Sequence, residues 1–220
     1  NQDSSNFNII SKSLTVWSNN SPKIISGVLL NGIIDDIYFH IEPNFVNAKF
    51  GKTDLGIDYS RKNISARIEN AFIHYYKNNL TLRFGRSAHW WGKSISNSII
   101  QSGMFPSYDH FFIQYKFNNF NIEMLHGQLG SGRTDSGERI KRYIAGHRLS
   151  WRLNDKILLS IGDQIIYSGE NRSIELTYLN PFVPYFFTGL EGEEEDHLLD
   201  NDNSIIFSDF KILINKNHSI

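Results

Sequence analysis

At 220 residues the chain is long enough to bury a sizeable core, and a single all-β domain of this length is ordinary. With 22 Lys and Arg against 23 Asp and Glu it has no basic field of the kind that attracts nucleic acid. The absence of cysteine excludes a disulfide framework, a zinc-thiolate centre and a cysteine nucleophile, and no apolar run approaches the roughly 18 to 20 residues of a membrane helix. The opening NQDSSNF lacks the charged start and apolar centre of a signal peptide, so a leader is expected to have been removed or the chain to be part of a longer one.

Successive strand side chains point to opposite faces, so alternation of apolar and polar residues is read as strand. Phe7 to Trp17 reads as the first, with Leu14 and Val16 opposite Ser13 and Thr15. Ile24 to Ile34 follows, and Asp35-Asp36 makes a tight link to a row of Ile37, Phe39 and Ile41 opposed by Tyr38, His40 and Glu42. After a polar section from 47 to 63, Ile68, Phe72 and Tyr76 oppose Arg67 and Glu69. Asn78-Asn79 then leads to Leu80, Leu82 and Phe84 against Thr81 and Arg83. Residues 86–106 are a long connection in which Ile99-Ile100 reads as a short strand. Phe111, Ile113, Tyr115 and Phe117 come next, Asn118-Asn119 turns the chain into Phe120 to His126, and the Gly-rich stretch Gly127 to Glu138 reads as a flexible loop.

The clearest rows lie between Arg139 and Phe182. Leu149, Trp151 and Leu153 oppose Arg148, Ser150 and Arg152; past Asn154-Asp155, Ile157, Leu159 and Ile161 oppose Ser160, Gly162 and Gln164; and Ile174, Leu176 and Tyr178 oppose Glu175 and Thr177. A last strand carries Phe210, Ile212 and Ile214. This gives one all-β domain over 1–220 with about ten or eleven strands, each near the roughly 9 to 11 residues that cross a bilayer when tilted. A soluble sandwich places such apolar rows inside, whereas an outer-membrane barrel turns them to lipid, and periodicity alone fits both. The connections favour the barrel. Links at 35–36, 78–79, 118–119 and 154–155 are tight and those at 47–63, 86–106 and 127–138 are long, the sorting of a barrel with short periplasmic turns and longer outer loops. The long region 181–203 falls where this order expects a short turn.

The order LRFGRSAHWWGKSISNSIIQSG, FFIQYKF, IEMLHGQLGS, KRYIAGHRLSWRL, IIYSG, ELTYLNPF and DNSIIFSDFKI resembles the Wzi-type capsule assembly family of outer-membrane barrels. The most specific pieces are Gly85-Arg86 with Trp91-Gly92, Tyr143 with His147, and Tyr178 to Pro181, within a likeness running from about Ala66 to Asn215. The resemblance implies an antiparallel transmembrane barrel in the bacterial outer membrane, of which this chain is an incomplete portion. It further implies a protein that binds or anchors capsular or surface polysaccharide as a lectin, monomeric and without cofactor or enzymatic activity. The family's Trp-Gly-Pro-Gly turn reads Trp91-Gly92-Lys93-Ser94 here.

Arg86, His89, Trp90 and Trp91 are the candidate polysaccharide contacts, since indole faces stack on sugar rings and Arg and His hydrogen-bond hydroxyls. The alternative is that one or both indoles join an interfacial girdle or pack inside the barrel mouth. The acidic residues Glu191, Glu193, Glu194, Glu195 and Asp196, with Asp200 and Asp202, have no calcium-loop spacing and read as solvated charge, so no metal is expected. Glu42, Glu69 and Glu175 permit a glycosidase pair, but charge pairing within a barrel is the preferred reading. No nucleophile-elbow or His-Glu-x-x-His local pattern supports catalysis; a soluble carbohydrate-active sandwich or glycosidase and a diffusion porin are the alternatives.

Overall fold

The computed structural model describes residues 5–18, 21–46, 59–61, 64–91, 100–101, 106–133, 137, 139–169, 172–185, 202–215 and 218–219. The strands are β1 (Ser5–Ser18), β2 (Ser21–Ile34), β3 (Ile37–Val46), β4 (Tyr59–Arg61), β5 (Ile64–Lys77), β6 (Leu80–Ser87), β7 (Tyr108–Phe117), β8 (Phe120–Arg133), β9 (Arg139–Arg152), β10 (Ile157–Gly169), β11 (Asn203–Asn215) and β12 (His218–Ser219). All belong to one sheet in the order β1-β2-β3-β5-β6-β7-β8-β9-β10-β11-β12, with the three-residue β4 paired to β5. Every pairing is antiparallel. Among the described residues the sheet is open: β1 has β2 as its single neighbour and does not meet β11 or β12. The architecture is thus an all-β antiparallel sheet of the kind that forms part of a barrel.

Local chemistry sets the tight links. Asp35, Asn78 and Asn118 each open a two-residue turn with φ near +50°, a left-handed conformation that Asp and Asn adopt more readily than other side chains. At the fourth link the Asn154 Oδ1 accepts the backbone N–H groups of Lys156 at 2.9 Å and Ile157 at 3.0 Å, a side chain standing in for a backbone turn.

Three expectations change. The period-two row Ile174, Leu176, Tyr178 is not a strand: Leu176–Leu179 is a one-turn 3-10 helix, with Tyr178 N–H donating to the Glu175 carbonyl at 3.2 Å. Its three-residue period buries Tyr178 while leaving Ile174 and Leu176 exposed, and Pro181 ends any continuation because it has no N–H to give. The loop expected from Gly127 to Glu138 is largely strand, since β8 continues to Arg133 and pairs with β9 through a register shift between Leu129 and Gly132. Gly127 belongs inside that strand because a Cβ there would lie 2.8 Å from the Tyr108 ring. Ile100 is in a bend and Gln101 forms an isolated bridge to Trp91, so that pair is no strand; Ile99 lies outside the described residues.

The first of these changes repairs the order of the links. With no strand at 174–178, β11 follows β10 in the sheet, and Gly169 and Asn203, which bound the stretch between them, lie at the same end of the sheet as Val46 and Ser87. The link at 19–20 is the exception, being short at that same end.

The two faces of the sheet are inverted relative to a water-soluble core. Leu149 is 41% exposed while its neighbour Arg148 is 4% exposed, and the same contrast holds along the sheet. Ile73, Phe84, Ile122, Trp151, Leu159, Ile161 and Phe210 are exposed, whereas Thr81, Glu123, Ser150, Ser160 and Gln164 are buried. The apolar rows of β3, β6, β7, β9 and β10 are therefore the outward ones, whereas the row read as Ile68, Phe72 and Tyr76 is divided by the register shift in β5: Ile68 is exposed and Phe72 stacks on His40 of the inward face. Burying large side chains normally drives folding, so a contiguous exposed apolar face marks a surface made for an apolar medium or a partner.

Candidate functional site

The buried polar face is held by a ladder of side chains across β7 to β11. Glu123 accepts Gln114 Nε2 at 2.7 Å and Asn121 Nδ2 at 3.0 Å, and its other oxygen faces Arg148 Nη1 at 3.6 Å. Arg148 Nη2 donates to Asp209 at 2.7 Å and to Ser160 Oγ at 3.1 Å, and the Ser160 hydroxyl donates to Ser150 at 3.0 Å. The register that pairs Glu123 with Arg148, and Ser160 with both Ser150 and Asp209, brings these residues onto one face. A similar group spans β1 to β5, where Glu42 accepts Lys12 Nζ at 2.6 Å and Asn70 Nδ2 at 2.8 Å. Glu69 pairs with Arg67 at 2.8 Å and Glu175 with Arg172 at 2.7 Å, so each of the three glutamates weighed for a glycosidase role sits in an ion pair.

The chain leaving β6 at Ser87 bends over this same face. Trp91 N–H donates to the Gln101 carbonyl at 3.0 Å, and the indole is 1% exposed within a cluster of Tyr108, Phe112, Leu125, Ile144 and Phe207. It packs on Gly146 of β9, where a Cβ would lie 2.4 Å from the ring, and its centroid is 6.1 Å from that of Phe207. Gly146→Ala should displace the indole, red-shift its emission and cost about 1–3 kcal/mol in a urea titration, the usual penalty for overpacking. An unchanged emission maximum would mean that Trp91 does not rest on that glycine.

His89 lies beside Trp91, its ring 4.9 Å from Phe112 and 5.7 Å from His110, with Arg83 Nη2 at 2.6 Å from its Nδ1. The Arg83 guanidinium lies 5.2 Å from the centre of the Phe112 ring, and the side chains of Gln101 and Tyr108 are hydrogen-bonded beside it. Burial first, and then the positive charge of Arg83, push His89 down to about 2, so the imidazole is neutral at ordinary pH. Of the four candidate contacts, the structure thus brings His89 and Trp91 together on the sheltered face of the sheet and leaves Trp90 38% exposed. Arg86 goes to the face of Phe84 and Phe111, in a bidentate pair with Asp109 at 3.1 and 2.8 Å. Residues Gly92, Lys93 and Ser94, on which the altered turn falls, lie outside the described residues.

On the opposite, outward face a strap of residues 172–185 covers the loop-end halves of β8, β9 and β10. Tyr143 and His147, four apart on β9, share that face and meet it. Tyr185 Oη lies 2.8 Å from His147 Nε2 and donates to the Tyr178 carbonyl at 3.0 Å. The Tyr185 N–H donates to Asp163 at 2.8 Å, and His126 Nε2 lies 2.8 Å from Tyr167 Oη. Arg172 anchors the strap to Glu175 and Asp202, and Tyr178 Oη donates to Asp202 at 2.6 Å. Burial, reinforced by Asp202 for one and Asp163 for the other, raises the phenols of Tyr178 and Tyr185, which remain donors. The strap hides polar groups and shows apolar ones: Leu176 is 81% and Phe182 89% exposed.

Sequence reasoning missed Arg83, His110 and Tyr108, whose only signal was membership of a polar row, and it missed the anchoring of Arg172 by Asp202. Among the described residues no group of three or more His, Asp or Glu could hold a metal ion. Residues 191–196 and Asp200 of the acidic stretch lie outside them. No family model, no curated protein and no solved structure matches the chain.

Proposed function

We propose that this chain is part of a bacterial outer-membrane β-barrel that holds capsular or surface polysaccharide without altering it chemically. The observation that carries the reading is the inversion of the faces, with Leu149, Ile161 and Phe210 outward and Arg148, Glu123 and Ser160 inward. A bilayer provides the apolar surroundings that such an outer face requires, and a barrel interior the shelter that such a ladder requires. A soluble sandwich needs those apolar rows between two layers. The polysaccharide role draws on the resemblance to the Wzi-type family and on the aromatic and basic residues gathered where the β6–β7 connection meets the sheet.

Expressed behind a signal sequence, the protein is expected to be extracted by detergent and to change electrophoretic mobility on heating. A folded monomer soluble in plain buffer would overturn the membrane assignment. In affinity electrophoresis against a panel of bacterial capsular polysaccharides, Trp90→Ala is expected to weaken retention while the heat-dependent mobility persists. Unchanged retention would remove Trp90 from the contact surface.

A further inference from the structure

Among the described residues, the inward face carries a half-buried cation without an acid. Lys12 and Arg148 on that face each hold a carboxylate, at 2.6 and 2.7 Å. Arg83, in the middle of β6 and only partly exposed, has no carboxylate partner among the described residues; it is met by His89 and by the Phe112 ring. Its cross-strand neighbour on β5 is His74, and the other charged group bearing on His89 is again a cation, Arg148.

Proton counting sharpens the point. A guanidinium has donors and no acceptor, so when Arg83 Nη2 meets His89 Nδ1 that nitrogen carries the lone pair and the imidazole proton resides on Nε2. Among the described residues His89 Nε2 has no hydrogen-bond partner, and neither has Arg83 Nε nor His74 Nε2. His110 does not relieve the surplus as an acid would: its Nδ1 donates to the Tyr108 carbonyl at 3.0 Å, which leaves only a neutral lone pair on Nε2. Two donors beside the positive charge, Arg83 Nε and His89 Nε2, are therefore without partners among the described residues, an arrangement that is costly when bare and suited to an anion with several acceptor oxygens.

We propose that Arg83, with His89 and His74 beside it, binds an oxyanion at the inner mouth, and that this anion is the carboxylate of an acidic saccharide. The inference rests on the polysaccharide-holding function proposed above and names the chemical class of the sugar. Trp91, Tyr108 and Phe112 pack behind the donors and hold them in place, and Trp90, three residues beyond the end of β6, is the exposed indole that can face a sugar ring.

The test uses the detergent-folded chain with three probes: polygalacturonate, neutral dextran and inorganic phosphate. Binding is read from tryptophan emission, since the Trp91 ring centroid is 5.4 Å from that of His89. Polygalacturonate is expected to bind with an affinity that falls as salt rises, dextran not to bind, and phosphate to compete. Arg83→Gln is expected to weaken polygalacturonate about tenfold to a hundredfold, the value of a hydrogen-bonded charge. Arg83→Met, without probe, is expected to raise the urea midpoint, because it removes a buried unpaired cation. Equal binding by Arg83→Gln, or equal binding of dextran, would overturn the site. Phosphate binding without polygalacturonate binding would overturn the saccharide assignment. A chain that binds neither acid but keeps its heat-dependent mobility sinks this site and spares the barrel, whereas loss of that mobility in the unaltered chain takes both.

Discussion

Arg148→Met is expected to cost about 3–5 kcal/mol, the scale measured when one partner of a buried ion pair is removed. The side chain is 4% exposed and joins three strands, donating to Asp209 and Ser160 and facing Glu123. Without it two carboxylates on the sheltered face lose their cation, and methionine, though similar in reach, offers no donor. Against a total stability of about 5–15 kcal/mol this is a large fraction, so the urea midpoint for loss of the heat-sensitive folded band should drop sharply. Adding Asp209→Asn removes one stranded charge and should recover part of the loss, which a double-mutant cycle measures. A single variant indistinguishable from the original chain would mean that the ladder does not hold β8 to β11 together.

Leu149→Arg separates the lipid-facing reading from its rival by magnitude. Leu149 pairs with Ile122 and Ile161, one row in from the stacked rings of Phe120 and Trp151. An arginine on the lipid face of a barrel costs about 2–4 kcal/mol at the bilayer midplane, falling towards the interfaces. In water the same exposed position would change stability by about 0.5 kcal/mol or less. Unfolding from phospholipid vesicles, compared for Leu149→Arg and Ile161→Arg against the unaltered chain, is expected to show the larger penalty. A change within the smaller range at both positions would remove the bilayer from the account.

The rows themselves were legible, because a period of two is a property of the strand backbone and needs no knowledge of partners. Which side of a row is sheltered was not legible: Arg148 and Leu149 alternate identically in a sandwich and in a barrel, and only the order of the links tipped the reading. Ile174, Leu176 and Tyr178 imitated a strand because three residues cannot distinguish a two-residue period from a turn of 3-10 helix, and the Asn180-Pro181 pair that closes the segment was the overlooked sign. Gly127 to Gly132 read as a loop because glycine lacks propensity, although here the missing side chain makes room for Tyr108. The candidate site was legible in part. The aromatic run at 89–91 was visible, but Trp91 meets Gly146 and Phe207 only after the six strands β6 to β11 have paired. Arg83 was one charge among many until its neighbours proved to be histidines.

The free margin of β1 carries a consequence for assembly. Along its outer side a fourteen-residue strand, Ser5–Ser18, offers amide and carbonyl groups to no neighbouring strand among the described residues. Hydrocarbon supplies no water to satisfy them, and each bare group there costs several kcal/mol. In the proposed barrel, entry into a bilayer and the sealing of that seam are therefore one event: the strand that zips onto β1 would, in the same step, license the rest of the sheet to leave water.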